Sequence, residues 1–142
     1  MKFIVDHVGI AVAGLDDALA FYRDVLGLTV EEPEEVASQR VRVHFLGTGE
    51  ARTGAVSGVT LELLEATTED SPVAKFVARR GPGIHHIAFR VPDIAAALAQ
   101  LKGRGVRLVD DTPRPGAHGS LVAFVHPSST HGVLVELIQP RA

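Results

Sequence analysis

The chain repeats itself. Sliding the sequence along itself until His7 falls on His86 sets His7-Val8-Gly9-Ile10-Ala11-Val12 over His86-Ile87-Ala88-Phe89-Arg90-Val91, and Ala18-Leu19-Ala20 over Ala97-Leu98-Ala99. An internal repeat decides the architecture before any single element is read. Each copy is an extended apolar stretch followed by a helical pattern. In the first, Leu15, Ala18, Leu19, Tyr22, Val25 and Leu26 recur at helical spacing after Gly14, and Gly27 ends the run. Asp16 and Asp17 sit in its first turn, where negative charge suits the helix dipole. In the second, Asp93 is placed to cap a run of Ile94, Ala97, Leu98 and Leu101, which Gly103 and Gly105 close. Three strand-like stretches follow each helix, at about 28–37, 40–47 and 58–66 in the first half and about 106–111, 120–126 and 132–139 in the second. Each half therefore reads β-α-β-β-β, and the fold class is α+β.

The 142 residues suit a single domain spanning 1–142, with 46% apolar content to build its core. Module one is expected over about 1–68 and module two over about 83–142. Between them lies a connector of about 71–81, whose helix starts at a Ser71 cap with Pro72 in the first helical position and ends at Gly81-Pro82-Gly83. A four-stranded sheet with one helix covers only one of its faces, so two such modules are expected to pair over a cleft, the usual place for a ligand. Gly47 to Gly58, with four glycines among polar residues, reads as a long solvated hairpin loop.

Composition removes several classes of function. There is no cysteine, which excludes thiol nucleophiles, disulfides and thiolate metal sites, so any metal must be held by His, Asp or Glu. The net charge of -3 comes from scattered charges of both signs, and no basic stripe suggests a nucleic acid partner. No apolar run approaches the length of a membrane span. The opening Phe3-Ile4-Val5-Asp6-His7 carries charge inside its apolar stretch and no small-residue cleavage site, so the expected location is cytoplasmic.

Strand alternation selects the candidate site. Val8, Ile10 and Val12 form a bulky set facing the helix, which turns His7 to the other face beside the small Gly9 and Ala11. Ile87, Phe89 and Val91 do the same for His86, and His85 points away. The last strands match as well, Val59-Thr60-Leu61-Glu62-Leu63-Leu64-Glu65 against Val133-Leu134-Val135-Glu136-Leu137-Ile138-Gln139, each with a carboxylate in its middle, at Glu62 and at Glu136. Taken singly, a strand His is more often a hydrogen-bonded core residue and a strand Glu more often lies on a solvated face. Two repeat-related pairs facing one way are different, because a buried carboxylate without a partner costs several kcal/mol and two of them ask for a shared cation. His7, Glu62, His86 and Glu136 are thus the expected ligands of one divalent ion, with cobalt, nickel, manganese and zinc all compatible with such mixed N/O ligation. His118, His126 and His131 lie in turn-rich segments and are read as structural.

At these residues the chain resembles the vicinal oxygen chelate (glyoxalase-like) superfamily, whose paired βαβββ modules hold a divalent metal in a cleft. Within it, the chain is similar over nearly its whole length to the methylmalonyl-CoA epimerases. The resembling segments are Asp6 to Val12, Leu63 to Thr67, Glu69 to Phe76, Gly83 to Phe89, Pro113-Arg114-Pro115-Gly116-Ala117-His118-Gly119, Val122 to Pro127 and Gly132 to Leu137. The metal motif alone is shared with glyoxalase I, whereas Pro113–Gly119 and His126-Pro127 are more specific to the epimerases. The resemblance carries the family's metal ligands to His7, Glu62, His86 and Glu136, with Gln in place of Glu62 in some members. Two departures stand out: the loop over 49–58 looks long, and Val43 occupies the place where some epimerases have a second catalytic Glu.

What the resemblance implies is removal of the C2 proton of methylmalonyl-CoA through a metal-stabilised enolate, with reprotonation on the other face. Its first catalytic residue would be Glu136, which can ligate the metal at rest and act on C2; the second expected here is Glu62, which the repeat symmetry sets across the metal from Glu136. His44 neighbours Val43, but alternation sends it to the opposite face unless the strand slips or bulges. The partners implied are an acyl-CoA substrate and a second copy of the chain in a homodimer. The rival readings are glyoxalase I (lactoylglutathione lyase) and a metal-free ligand-sequestering protein of the same fold, against which the mid-strand Glu62 and Glu136 argue.

Overall fold

The structure, a computed structural model, describes residues 1–48 and 58–142. They group into two compact units, one of His7–His85 and one of Met1–Asp6 with His86–Ala142.

In the first unit, β1 (Ile4–Ala11) leads into α1 (Leu15–Leu19), whose first turn carries Asp16 and Asp17 as the sequence suggests. The helix then widens into a π-helical turn over Ala20–Val25, which no spacing rule anticipates. The strands β2 (Thr29–Val30), β3 (Glu34–Val36), β4 (Val41–Gly47) and β5 (Thr60–Ala66) follow. The order is β2-β4-β5-β1, with β3 also on β4, β5 antiparallel to β4 and parallel to β1. The single strand expected over 28–37 is thus two short ones. Pro33, which has no N–H to give to a ladder, lies in the gap between them. The long loop expected from Gly47 to Gly58 falls on 49–57, outside the described residues. Val12, Leu19, Leu46 and Leu63 form the core on the helix side, joined by Ile10, Leu15, Ala18 and Tyr22. Each such buried aliphatic side chain contributes roughly 1.5–3 kcal/mol.

The connector forms α2 (Pro72–Arg80), the helix read from Ser71-Pro72. The Ser71 hydroxyl accepts from the Ala74 amide at 3.0 Å, and Gly81 closes the helix with φ 78°, in a region that favours glycine.

The second unit repeats the plan with β6 (Gly83–Arg90), α3 (Ile94–Gly103), β7 (Arg114–Pro115), β8 (Leu121–Val125) and β9 (Val135–Gln139), in the order β6-β9-β8-β7. Asp93 caps α3 by accepting from the Ala96 amide at 3.0 Å. The strand expected over 106–111 is reduced to one bridge, Leu108 to Val125. There the Asp110 carboxylate accepts from the Phe124 amide at 2.8 Å, so a side chain takes a place that a ladder carbonyl would hold. The edge of this sheet is instead β7, two residues long and ending in proline, as suits an edge. Val91, Ile94, Ala97, Leu98, Ala123, Val125 and Leu137 make the core under α3. Among the described residues, no helix is long and apolar enough to cross a membrane.

Candidate functional site

In both units, packing against the helix decides what is left on the other face of the sheet. In the first, the register sets Gly9 beside Glu62 and His7 beside Thr60, so His7 and Glu62 share the face turned away from Leu63 and Val12. His7 Nδ1 lies 3.1 Å from Glu62 Oε2, with the side chains 2% and 13% exposed. In the second, Ala88 lies beside Glu136 and Phe124 opposite it, on the face turned away from Leu137 and Ala123. His86 Nε2 is 3.9 Å from Glu136 Oε2, with the side chains 5% and 7% exposed. Phe124 presents its ring to His86 edge to face, with centroids 5.8 Å apart.

Each unit therefore holds one imidazole beside one carboxylate at repeat-equivalent positions, and a Gly or Ala next to each carboxylate keeps space open on that face. Such a pair offers a nitrogen and an oxygen donor to a divalent ion, and a carboxylate able to take a proton. The donor set of His and Glu without sulfur fits a borderline or hard divalent ion, and the burial of Glu136 gives it need of a positive partner.

The remaining histidines fall where alternation and turn chemistry put them. His85 stacks edge to face on Phe76 of α2, with centroids 5.0 Å apart. His126 Nδ1 accepts from the Ser128 amide at 3.0 Å and caps a short 3-10 turn. His118 and His131 adopt left-handed backbone conformations in turns, with φ 55° and 60°. His44 is opposite Leu63, on the helix side, and its Nε2 pairs with Glu65 Oε1 at 3.2 Å. The strand neither slips nor bulges there, and Val43, opposite Leu64, lies on the Glu62 face with Val41 and Phe45, where it is buried and brings no acid–base group. The His44→Ala protein should therefore keep wild-type turnover and metal content and lose thermal stability. An inactive but fully metallated variant would contradict this placement.

Arg114 lies in the Pro113–Gly119 segment that carries the resemblance, but alternation assigned neither it nor Ser120 to the second-unit face. Arg114 pairs with Val122 across β7 and β8, which puts it on the face of Phe124 and Glu136. That register is visible only in the structure, because β7 is two residues long.

Comparison with known proteins agrees with this architecture. The model of the Glyoxalase/Bleomycin resistance protein/Dioxygenase superfamily matches residues 6–124. An uncharacterised protein of Bacillus subtilis is 44% identical over 96% of this chain and 92% of its own. An ethylmalonyl-CoA/methylmalonyl-CoA epimerase of Cereibacter sphaeroides is 39% identical over 95% of this chain and 96% of its own. A solved methylmalonyl-CoA epimerase in complex with methylmalonyl-CoA and ammonium superposes with a TM-score of 0.89 at 41% identity, covering 100% of this chain and 97% of that one.

Proposed function

The chain belongs to the Glyoxalase/Bleomycin resistance protein/Dioxygenase superfamily and, within it, to the methylmalonyl-CoA epimerases, and from that premise we propose that it interconverts (2R)- and (2S)-methylmalonyl-CoA. The observation that carries the reading is the His–Glu pair repeated in each unit, His7 with Glu62 and His86 with Glu136, in which both imidazoles and Glu136 are buried. We read these four as the ligands of one divalent ion, with cobalt, nickel, manganese and zinc as the candidates. Bound there, the ion would supply Lewis-acid stabilisation of the negative charge that grows on the thioester oxygen as the C2 proton leaves.

The chain's own residues do the rest. Epimerisation takes a proton from one face of C2 and returns one to the other, so two acid–base groups are the simplest arrangement. Glu136 is the first. Its carboxylate sits on a sheet face shielded by Phe124, where a base meets little competing water. Val43 brings no acid–base group from β4, and we assign the second proton to Glu62, the carboxylate of that face paired with His7, a task closed to the Gln of some relatives. The His7 imidazole beside it holds the carboxylate in place.

The test sets the two enzyme readings side by side. Purified protein given (2S)-methylmalonyl-CoA should form the 2R epimer, and given methylglyoxal and glutathione should form little product. Turnover only in the second assay would make it a lactoylglutathione lyase, and binding without turnover by a metal-free protein would make it a sequestering module. A homodimer and a cytoplasmic location belong to the same proposal, the first supported by the habit of the family. A monomer by light scattering at micromolar concentration would reject the dimer, and cell fractionation tests the location.

A further inference from the structure

Beside the His86–Glu136 pair, the second unit carries polar groups that the proton chemistry does not use. The β7–β8 register places Arg114 opposite Val122, and the backbone bond from the Gly116 amide to the Ser120 carbonyl at 3.0 Å continues the pairing by one step. Arg114, Ser120, Val122 and Phe124 therefore lie on one face, the face of Glu136. The guanidinium of Arg114 lies 5.7 Å from the centroid of Phe124, the ring that also meets His86. Its one ion-pair partner among the described residues is Asp110, at 3.4 Å from Nε, and Nε is buried without a hydrogen bond. Asp110 is itself anchored by the Phe124 amide, so it braces the guanidinium. The side chain is 38% exposed while Nε is buried, so solvent, and with it an incoming anion, reaches the rest of the side chain.

Ser120 makes the second half of the case. It is 4% exposed and its hydroxyl has no hydrogen-bond partner among the described residues, an expensive state for a buried polar group. The hydroxyl packs against Gly116, where a Cβ would come within 2.8 Å of Ser120 Oγ and 2.7 Å of Val122 Cγ1. The chain spends a glycine on making room for an unpaired hydroxyl two residues along the strands from a braced arginine.

We propose that Arg114 and Ser120 form an oxyanion subsite that positions the substrate. This rests on the epimerase reading, in which the substrate bears a free carboxylate at one end and phosphates at the other. Either oxyanion suits a guanidinium and a hydroxyl, and the test separates them.

The variants are Arg114→Gln and Ser120→Ala, with metal content and thermal stability followed in each. Neither should unfold the protein. The Asp110 pair is partly exposed, and removing an unpaired buried hydroxyl relieves a cost rather than adding one. For methylmalonyl-CoA, KM should rise about ten- to a hundred-fold in Arg114→Gln, as expected for loss of a charge-assisted hydrogen bond, and by more than kcat falls. Ser120→Ala should give a smaller rise of the same kind. Calorimetry then identifies the anion. Weaker binding of propionyl-CoA, which has the phosphates and no carboxylate, assigns the subsite to a phosphate. Weaker binding of the methylmalonyl thioester of pantetheine, which has the carboxylate and no nucleotide, assigns it to the acyl group. The proposal is overturned if both variants keep wild-type KM and wild-type affinity for both probes. If the epimerase reading itself fails, the wild-type protein will show no epimerisation at all, a result distinct from any difference among variants.

Discussion

Glu136→Gln is expected to slow epimerisation of methylmalonyl-CoA by about 10²- to 10⁴-fold, the usual contribution of a positioned general base. The side chain lies mid-strand on β9, next to Ala88 and opposite Phe124, so it is fixed by pairing on both sides. Glutamine keeps its shape and one oxygen donor, which separates the loss of a base from the loss of a strand. The rate should collapse while secondary structure and most of the thermal stability remain. Metal content must be measured in the same sample, because a protein that lost both would report only a damaged centre. A Glu136→Gln protein that keeps its metal and its rate would remove Glu136 from the role of base. Glu62→Gln is the companion measurement. It should retain metal better than Glu136→Gln, since some relatives have glutamine there, and lose rate for want of the second proton carrier.

The second large effect concerns the ion itself. Wild-type protein purified with divalent metal present should carry about one ion per chain, and His86→Ala should carry almost none. Removing even a supporting outer partner of a metal ligand typically costs ~10–100-fold in affinity, and removing a ligand costs more. His86 also packs against Phe124, so the alanine variant leaves a gap in a buried site and loses some stability for that reason alone. His86→Gln fills most of the space and separates the two effects: it should recover stability and remain poor in metal. Elemental analysis of wild type and both variants settles the matter. Wild-type metal content in His86→Ala would take His86 out of the ligand set.

The pairing of one imidazole with one carboxylate in each unit was legible because the repeat constrains it twice. One strand with His7 proves little, but a second with His86 in the same facing, each followed by a last strand with a mid-strand Glu, leaves few arrangements, and within each unit the imidazole lies beside its carboxylate. The face of each strand followed from which residues the helix needs, and the same argument placed His44 and His85 away from the pair. Capping chemistry placed α2 and α3, whose Ser71 and Asp93 caps make the expected bonds. Short edge strands escaped. Segments such as 28–37 and 106–111 have strand-like composition, but a proline breaks the first and the Asp110 carboxylate replaces a ladder bond in the second. Propensity carries no information on which edge a two-residue strand will join, so β7 and the placement of Arg114 and Ser120 needed coordinates.

The central claim is that this chain takes the proton from one face of C2 of methylmalonyl-CoA and delivers another, exchangeable with solvent, to the opposite face. The most direct measurement is mass spectrometry of (2S)-methylmalonyl-CoA incubated with metal-loaded protein in D2O, with the two epimers resolved. The account predicts that the 2R epimer appears carrying one deuterium at C2, and that chelation of the metal stops both its formation and the labelling. Recovery of unlabelled 2S substrate after prolonged incubation with fully metallated protein would contradict it.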